Sequence, residues 1–148
     1  MGLPVKHYLE TKRFMPTCAL AVRYEVMDKV GFFDQSLSSG GDKEFGRRVH
    51  RAGYRMEYDD QLLVRHPVRT TFEEHIAKAK RIGVGQYQLW QRFDLAPHPF
   101  SPVRFLPPNP KRVVSRSQSR SQIAVIYLIS YLLKLVQAVV AVKEFLKN

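Results

Sequence analysis

Residues 123–142 carry a single charge, Lys134, in twenty positions. No other stretch restricts the fold of this chain as strongly. Twenty helical residues reach about 30 Å, the depth of a bilayer's hydrocarbon core. The polar residues of the segment are not scattered. Tyr127, Ser130, Lys134 and Gln137 recur at spacings of three, four and three, which draws one stripe along a helix. Three readings follow. The segment is a transmembrane or re-entrant helix with its stripe against a partner. Or it lies on an anionic lipid surface. Or it is a core or oligomer helix of a soluble protein. Arg116 and Arg120 precede it, and Lys143 and Lys147 follow it. The two membrane readings explain these basic flanks. A central lysine in a span costs about 2.5–3.5 kcal/mol on insertion scales, which apolar neighbours and snorkelling offset.

The charge is uneven along the chain. The 148 residues carry a net +11. Residues 1–100 hold 16 Lys and Arg against 12 Asp and Glu, whereas residues 101–148 hold 8 against 1. A negatively charged partner is expected for the second region. The length allows one domain with a real core. Cys18 is the only cysteine, so an intrachain disulfide and a cysteine zinc site are excluded, which suits a reducing cytoplasm. Residues 1–13 lack an apolar run, and no secretory signal is expected there.

Periodicity places the remaining elements. Residues 18–22 read as a short buried strand. Residues 24–30 read as a helix stopped by Gly31. Residues 42–52 read as a helix with Phe45, Val49 and Ala52 on its apolar face, closed by Gly53. Residues 54–58 and 61–65 are strand-like. Residues 72–92 form a longer helix candidate that Gly83 and Gly85 should weaken. Six of the nine prolines fall in 97–110, an extended connector, followed by a polar, basic Ser/Arg stretch.

The candidate chemistry centres on Asp42. It follows Ser38-Ser39-Gly40-Gly41 and opens a basic helix. It reads as a helix cap or first-turn acid, or as a base delivered by a flexible loop. Glu44 is solvated or paired with Arg48 at i+4. His66 follows a strand-like run, where strand ends open into clefts; a surface histidine before Pro67 is the bland alternative. No self-contained metal motif, dinucleotide fingerprint or phosphate loop occurs. Arg47, Arg48, Arg51 and Arg55 cluster, as do Lys78, Lys80 and Arg81, but without a nucleic-acid module. No nucleic-acid partner is expected.

The order of these features resembles the C-terminal half of the catalytic domain of family 2 glycosyltransferases, which have the GT-A fold. The residues that carry it are Leu20-Ala21-Val22-Arg23, Val30-Gly31-Phe32-Phe33-Asp34, Gly40-Gly41-Asp42, Arg47-Arg48, Arg51-Ala52-Gly53-Tyr54-Arg55, Leu63-Val64-Arg65-His66 and Lys78-Ala79-Lys80-Arg81-Ile82-Gly83. Gly41 stands where the family has Glu, and Ala19 where many members have Asn. The family's nucleotide-binding half, with its Asp-x-Asp motif, has no counterpart in this sequence. The resemblance implies an α/β chain: a partial GT-A-like mixed sheet with flanking helices, plus a C-terminal apolar helix. It implies a glycosyltransferase half-domain in 1–93, a Pro-rich and basic linker in 94–121, and a membrane-associated or transmembrane helix in 122–148. Asp42 would be the catalytic base, Arg48 and Arg81 would bind substrate, and His66 would lie near the metal. The implied partners are a nucleotide-sugar donor, a hydroxyl acceptor that can be lipid-linked, a divalent metal (Mg or Mn) for the complete enzyme, and the membrane. A separate N-terminal half or a homo-oligomer would complete the site, at the cytoplasmic face of the inner (plasma) membrane. The alternative is a non-catalytic, membrane-associated interaction protein derived from a glycosyltransferase.

Overall fold

The structure is a computed structural model that describes residues 5–65, 67–110 and 119–147. It divides into two compact units, Met1–Val68 and Arg69–Asn148.

The first unit holds three helices: α1 (Val5–Lys12), α2 (Tyr24–Val30) and α3 (Gly41–Arg51). Helix α3 is its centre. Phe45 and Val49 are buried, as the periodicity requires, and Glu44 and Gly46 are buried with them. Ala52 does not share that face; it is the exposed residue that ends the helix. Gly53 has φ 81° and donates to the His50 carbonyl at 3.1 Å, the left-handed closure that glycine adopts without a steric cost. Gly46 faces the chain leaving α1. A methyl group there would lie 2.6 Å from Phe14 Cβ and 2.9 Å from the Arg13 carbonyl. Helix α1 has no clear apolar period and is fixed by contacts instead: Leu9 is buried, and Tyr8 stacks on Phe14 at 5.3 Å. Gly31, at φ 82°, terminates α2 by donating to the Met27 carbonyl at 2.8 Å.

The expected mixed sheet is not shown by the described residues. Among the described residues there is no strand. Residues 17–19 form one 3-10 turn, and Leu20 is extended. Residues 54–58 and 61–65 are likewise irregular, with Leu63 78% exposed. Strand propensity reports fit to a pleated, half-buried surface, and a single strand leaves its backbone groups unpaired. The segments have strand composition but no neighbouring strand to complete a ladder.

The second unit pairs α4 (Phe72–Phe93) with α5 (Arg120–Lys147). Helix α4 opens with a capping box. Thr71 Oγ1 accepts from the Glu74 amide at 3.3 Å, and the Glu74 carboxylate accepts from the Thr70 and Thr71 amides at 3.0 and 3.3 Å. Those amide bonds, first Thr71 and then Thr70, hold the Glu74 carboxyl below its ordinary range. Gly83 does not weaken the helix but admits α5. A methyl group there would sit 2.7 Å from the Gln137 carbonyl and 2.8 Å from Val140 Cβ. Ala138 and Ala141 are buried on the opposing helix. Small residues on both sides allow the backbones to approach closely.

The proline-rich residues 97–108 bind along α5 as a strap. Tyr127 OH donates to the Pro108 carbonyl at 3.1 Å, and Tyr131 OH to that of Phe105 at 3.0 Å. Lys134 Nζ donates to Val103 and Leu106 at 3.0 and 2.6 Å. Arg104, in a 3-10 turn, is buried and donates from Nε to the His98 carbonyl at 2.9 Å. Its other nitrogens reach the Pro97 carbonyl and Gln86 Oε1. Burial pulls its pKa below the usual arginine value. The expected polar stripe therefore exists, and Tyr127 and Lys134 on it face the chain's own connector. Gln137 bonds Gln86 of α4 at 3.2 Å.

Gly83→Ala should lower the stability of the α4–α5 pair by about 1–3 kcal/mol, the usual cost of overpacking; an unchanged urea midpoint would refute the close approach. The Glu74 cap should follow pH. A depressed carboxyl contributes stability above its unfolded pKa and loses it as pH falls through the folded value. Helicity should therefore decline below about pH 4.5, the ordinary value. Glu74→Gln should remove that part of the decline in a circular dichroism titration.

Candidate active site

The chemistry of the first unit gathers at the start of α3. Gly40, at φ 87°, caps the helix without a side-chain hydrogen bond. Asp42 is thus not the cap but an acid of the first turn, where the amide ends of the helix favour negative charge. Its Oδ1 accepts from the Lys43 amide at 2.9 Å. A carboxylate has about four acceptor positions, so this bond leaves capacity for a substrate proton. Asp42 is half-buried and lines a groove of about 510 Å³, together with Arg23, Phe45, Val49 and Tyr54. The extended residues 20–23 and 54–57 line the same groove. It is concave and of mixed polarity, as a ligand site requires.

Glu44 lies two residues away and has a different environment. It is buried and accepts two bonds from Arg48, from Nε at 2.6 Å and from Nη2 at 2.9 Å. The same guanidinium donates to the carbonyls of Gly31 at 3.0 Å and Phe32 at 2.7 Å, and to Val30. These carbonyls close α2, where partial negative charge collects. Arg48 therefore ties the end of α2 to α3 and neutralises Glu44. The i+4 pair was readable in the sequence, but the reach to residues 30–32 was not. Its one signal is Gly31, which ends a helix and leaves carbonyls without helical partners.

Arg81 lies on α4, in the other unit, exposed at its surface. His66 lies outside the described residues. Among the described residues no three His, Cys, Asp or Glu side chains converge as a metal site. Asp59, in the adjacent acidic pair, caps its own turn by accepting from the Gln61 amide at 2.9 Å. The described donors do not make a metal site, and no chemical step of this chain is derived through one.

Comparison with known proteins identifies the class. Residues 6–143 match the model of glycosyl transferase family group 2, and the chain belongs to that family. It is 34% identical over 89 residues to glycosyltransferase AglE of Haloferax volcanii, an alignment covering 60% of this chain and 29% of that protein. It is also 34% identical over 68 residues to the pre-mycofactocin glycosyltransferase of Mycobacterium tuberculosis, covering 46% of this chain and 14% of that protein. The chain thus spans less than a third of these relatives. No solved structure matches it significantly.

Removing Arg48 should destabilise the first unit. Breaking a fully buried pair costs about 3–5 kcal/mol, but 29% of the Arg48 side chain is exposed, so about 2 kcal/mol is expected for Arg48→Ala. Replacing both partners, with Glu44→Leu and Arg48→Met, should recover part of that loss in urea denaturation. A double variant less stable than Arg48→Ala would show that the stranded glutamate is not the source.

Proposed function

We propose that this chain is the acceptor-side part of an inverting, nucleotide-sugar-dependent glycosyltransferase with the GT-A fold, and that Asp42 is its base. The observation that carries this reading is the division of labour between two acids in one helical turn. Glu44 is buried against Arg48, whereas Asp42 opens onto the groove. A hydroxyl is a poor nucleophile until a positioned base takes its proton. The Asp42 carboxylate accepts the proton of the acceptor hydroxyl as its oxygen forms a bond to the anomeric carbon. The bond from that carbon to the diphosphate breaks with its electron pair, the nucleoside diphosphate leaves, and the anomeric configuration inverts.

The remaining roles are proposed from the resemblance to the family's motifs. Arg48 serves the substrate through the Gly31–Phe32 loop it holds, and Arg81 offsets the charge of the leaving diphosphate. His66 would help hold a magnesium or manganese ion, with the other ligands supplied by the nucleotide-binding half. The exposed residues 61–65, strand-like in composition, suit pairing with strands of that half, supplied by a longer chain or a separate one. In this reading residues 1–93 carry the transferase motifs, 94–121 the connector and 122–148 the membrane-seeking helix. The helix holds the enzyme at the cytoplasmic face of the inner membrane, beside a lipid-linked or cell-surface polysaccharide acceptor.

Asp42→Asn keeps the size and polarity of the side chain but removes the base. In the complete enzyme, transfer of radiolabelled sugar should fall about 100- to 10,000-fold, the usual contribution of general base catalysis, with the circular dichroism spectrum unchanged. Near-normal transfer would overturn the assignment.

A further inference from the structure

We propose that α5 lies in the plane of an anionic membrane surface, not across the bilayer, with α4 and the proline strap on its water side. This rests on the membrane-attached reading above.

By its own composition α5 is long and apolar enough to cross a membrane. Its surroundings in the second unit argue otherwise. Val125, Leu128, Leu132, Val139 and Leu146 are between 45% and 71% exposed. Their spacings of three, four, seven and seven place them on one face of the helix. The opposite face carries Tyr127, Lys134, Ala138 and Ala141. Tyr127 and Lys134 bind strap carbonyls, and the two alanines are buried. That face is thereby covered in part. The face with Val125, Leu128, Leu132, Val139 and Leu146 is left open for lipid.

A spanning position would bring the covering layer into hydrocarbon. The strap bonds run from Tyr127 to Lys134, and the α4 contact lies at Gln137 and Val140. Together they occupy the middle of α5. Helix α4 carries exposed Lys80 three residues from Gly83, at the depth of that contact. In-plane seating leaves this charge in water. It also leaves the uncovered stripe as the one surface that lipid must take up.

Charge indicates which lipid. Residues 101–148 hold 8 Lys and Arg, of which Arg104 and Lys134 are taken up by the strap, against a single acid. Arg120 begins α5 and is exposed, and Lys143 interrupts the apolar stripe near its end. A lysine stem there lies on apolar surface while its ammonium reaches headgroups. Basic residues beside a membrane-facing helix select anionic headgroups.

Vesicle flotation of the whole chain tests this. Preformed vesicles of phosphatidylcholine with phosphatidylglycerol should carry at least about tenfold more protein than phosphatidylcholine alone. Leu128→Glu combined with Leu132→Glu should abolish flotation while the helical spectrum persists. Topology is read in a Cys18→Ser background with single cysteines from Arg120→Cys or Lys147→Cys. Both ends should react fully with a membrane-impermeant maleimide added outside sealed vesicles. Protection of one end would establish a span and overturn the proposal. Equal flotation on neutral vesicles would also overturn it. So would a dimer in sedimentation equilibrium that the double glutamate variant dissolves without any flotation of the parent. None of these readouts depends on sugar transfer, so the catalytic reading can fail separately.

Discussion

A proline-rich segment carries more hydrogen-bond acceptors than donors, and the second unit is organised around that mismatch. Each proline removes an amide but keeps its carbonyl. Residues 97–110 hold six prolines, so their own 3-10 turn at Pro102–Arg104 satisfies only some of their carbonyls. Tyr127, Tyr131 and Lys134 supply donors from α5, and Arg104 supplies donors from within the strap. The tyrosines and the lysine recur at spacings of four and three, the helical repeat. The close approach of α4 at Gly83 continues the covered face, and the Gln86–Gln137 bond joins the two parts. A connector that would otherwise be a loose linker is thereby turned into half of the helix's environment.

The same arrangement bears on what hydropathy alone says of α5. A helix apolar nearly all round is either a core helix or a span. This one is covered in part on one side, where Ala138 and Ala141 are buried, and open on the other. Lys134 would cost about 2.5–3.5 kcal/mol at the centre of a span, and an exposed α4 lysine would add a similar cost. Beside the strap, Lys134 instead closes two backbone bonds at a partly covered surface. The layer of α4, strap and α5 is amphipathic as an assembly, although α5 is not strongly so by itself.

What could be read from the sequence tracks how local its causes are. Helices α2 to α5 were legible because periodicity, Gly31 and Gly53 act within a few residues. Helix α1 was not, because Leu9 and the Tyr8–Phe14 stack act only once Gly46 makes room for Phe14. The runs at 18–22, 54–58 and 61–65 were recognised by composition, but a strand is completed by a neighbour, and among the described residues none is paired. The polar stripe of α5 was legible as a stripe, whereas its partner was not: the acceptors lie 19 to 31 positions away. Tyr131 escaped notice because its hydroxyl reaches the strap from the edge of that stripe.

The candidate site shows the same division at smaller scale. The glycines before Asp42 and the i+4 relation of Glu44 to Arg48 can both be read directly. Which acid is available for chemistry cannot, because it depends on Val30, Gly31 and Phe32, whose carbonyls lie 16 to 18 positions before Arg48. Those carbonyls fix the guanidinium, and the guanidinium in turn claims Glu44. A carboxylate with a dedicated bidentate partner has its acceptor oxygens taken up by that pair. Asp42, bonded to one backbone amide and lining open space, has no such commitment. The loop that ends α2 therefore shapes the candidate site from a distance: its carbonyls hold Arg48, Arg48 holds Glu44, and Asp42 is left as the acid of the first turn that faces the groove.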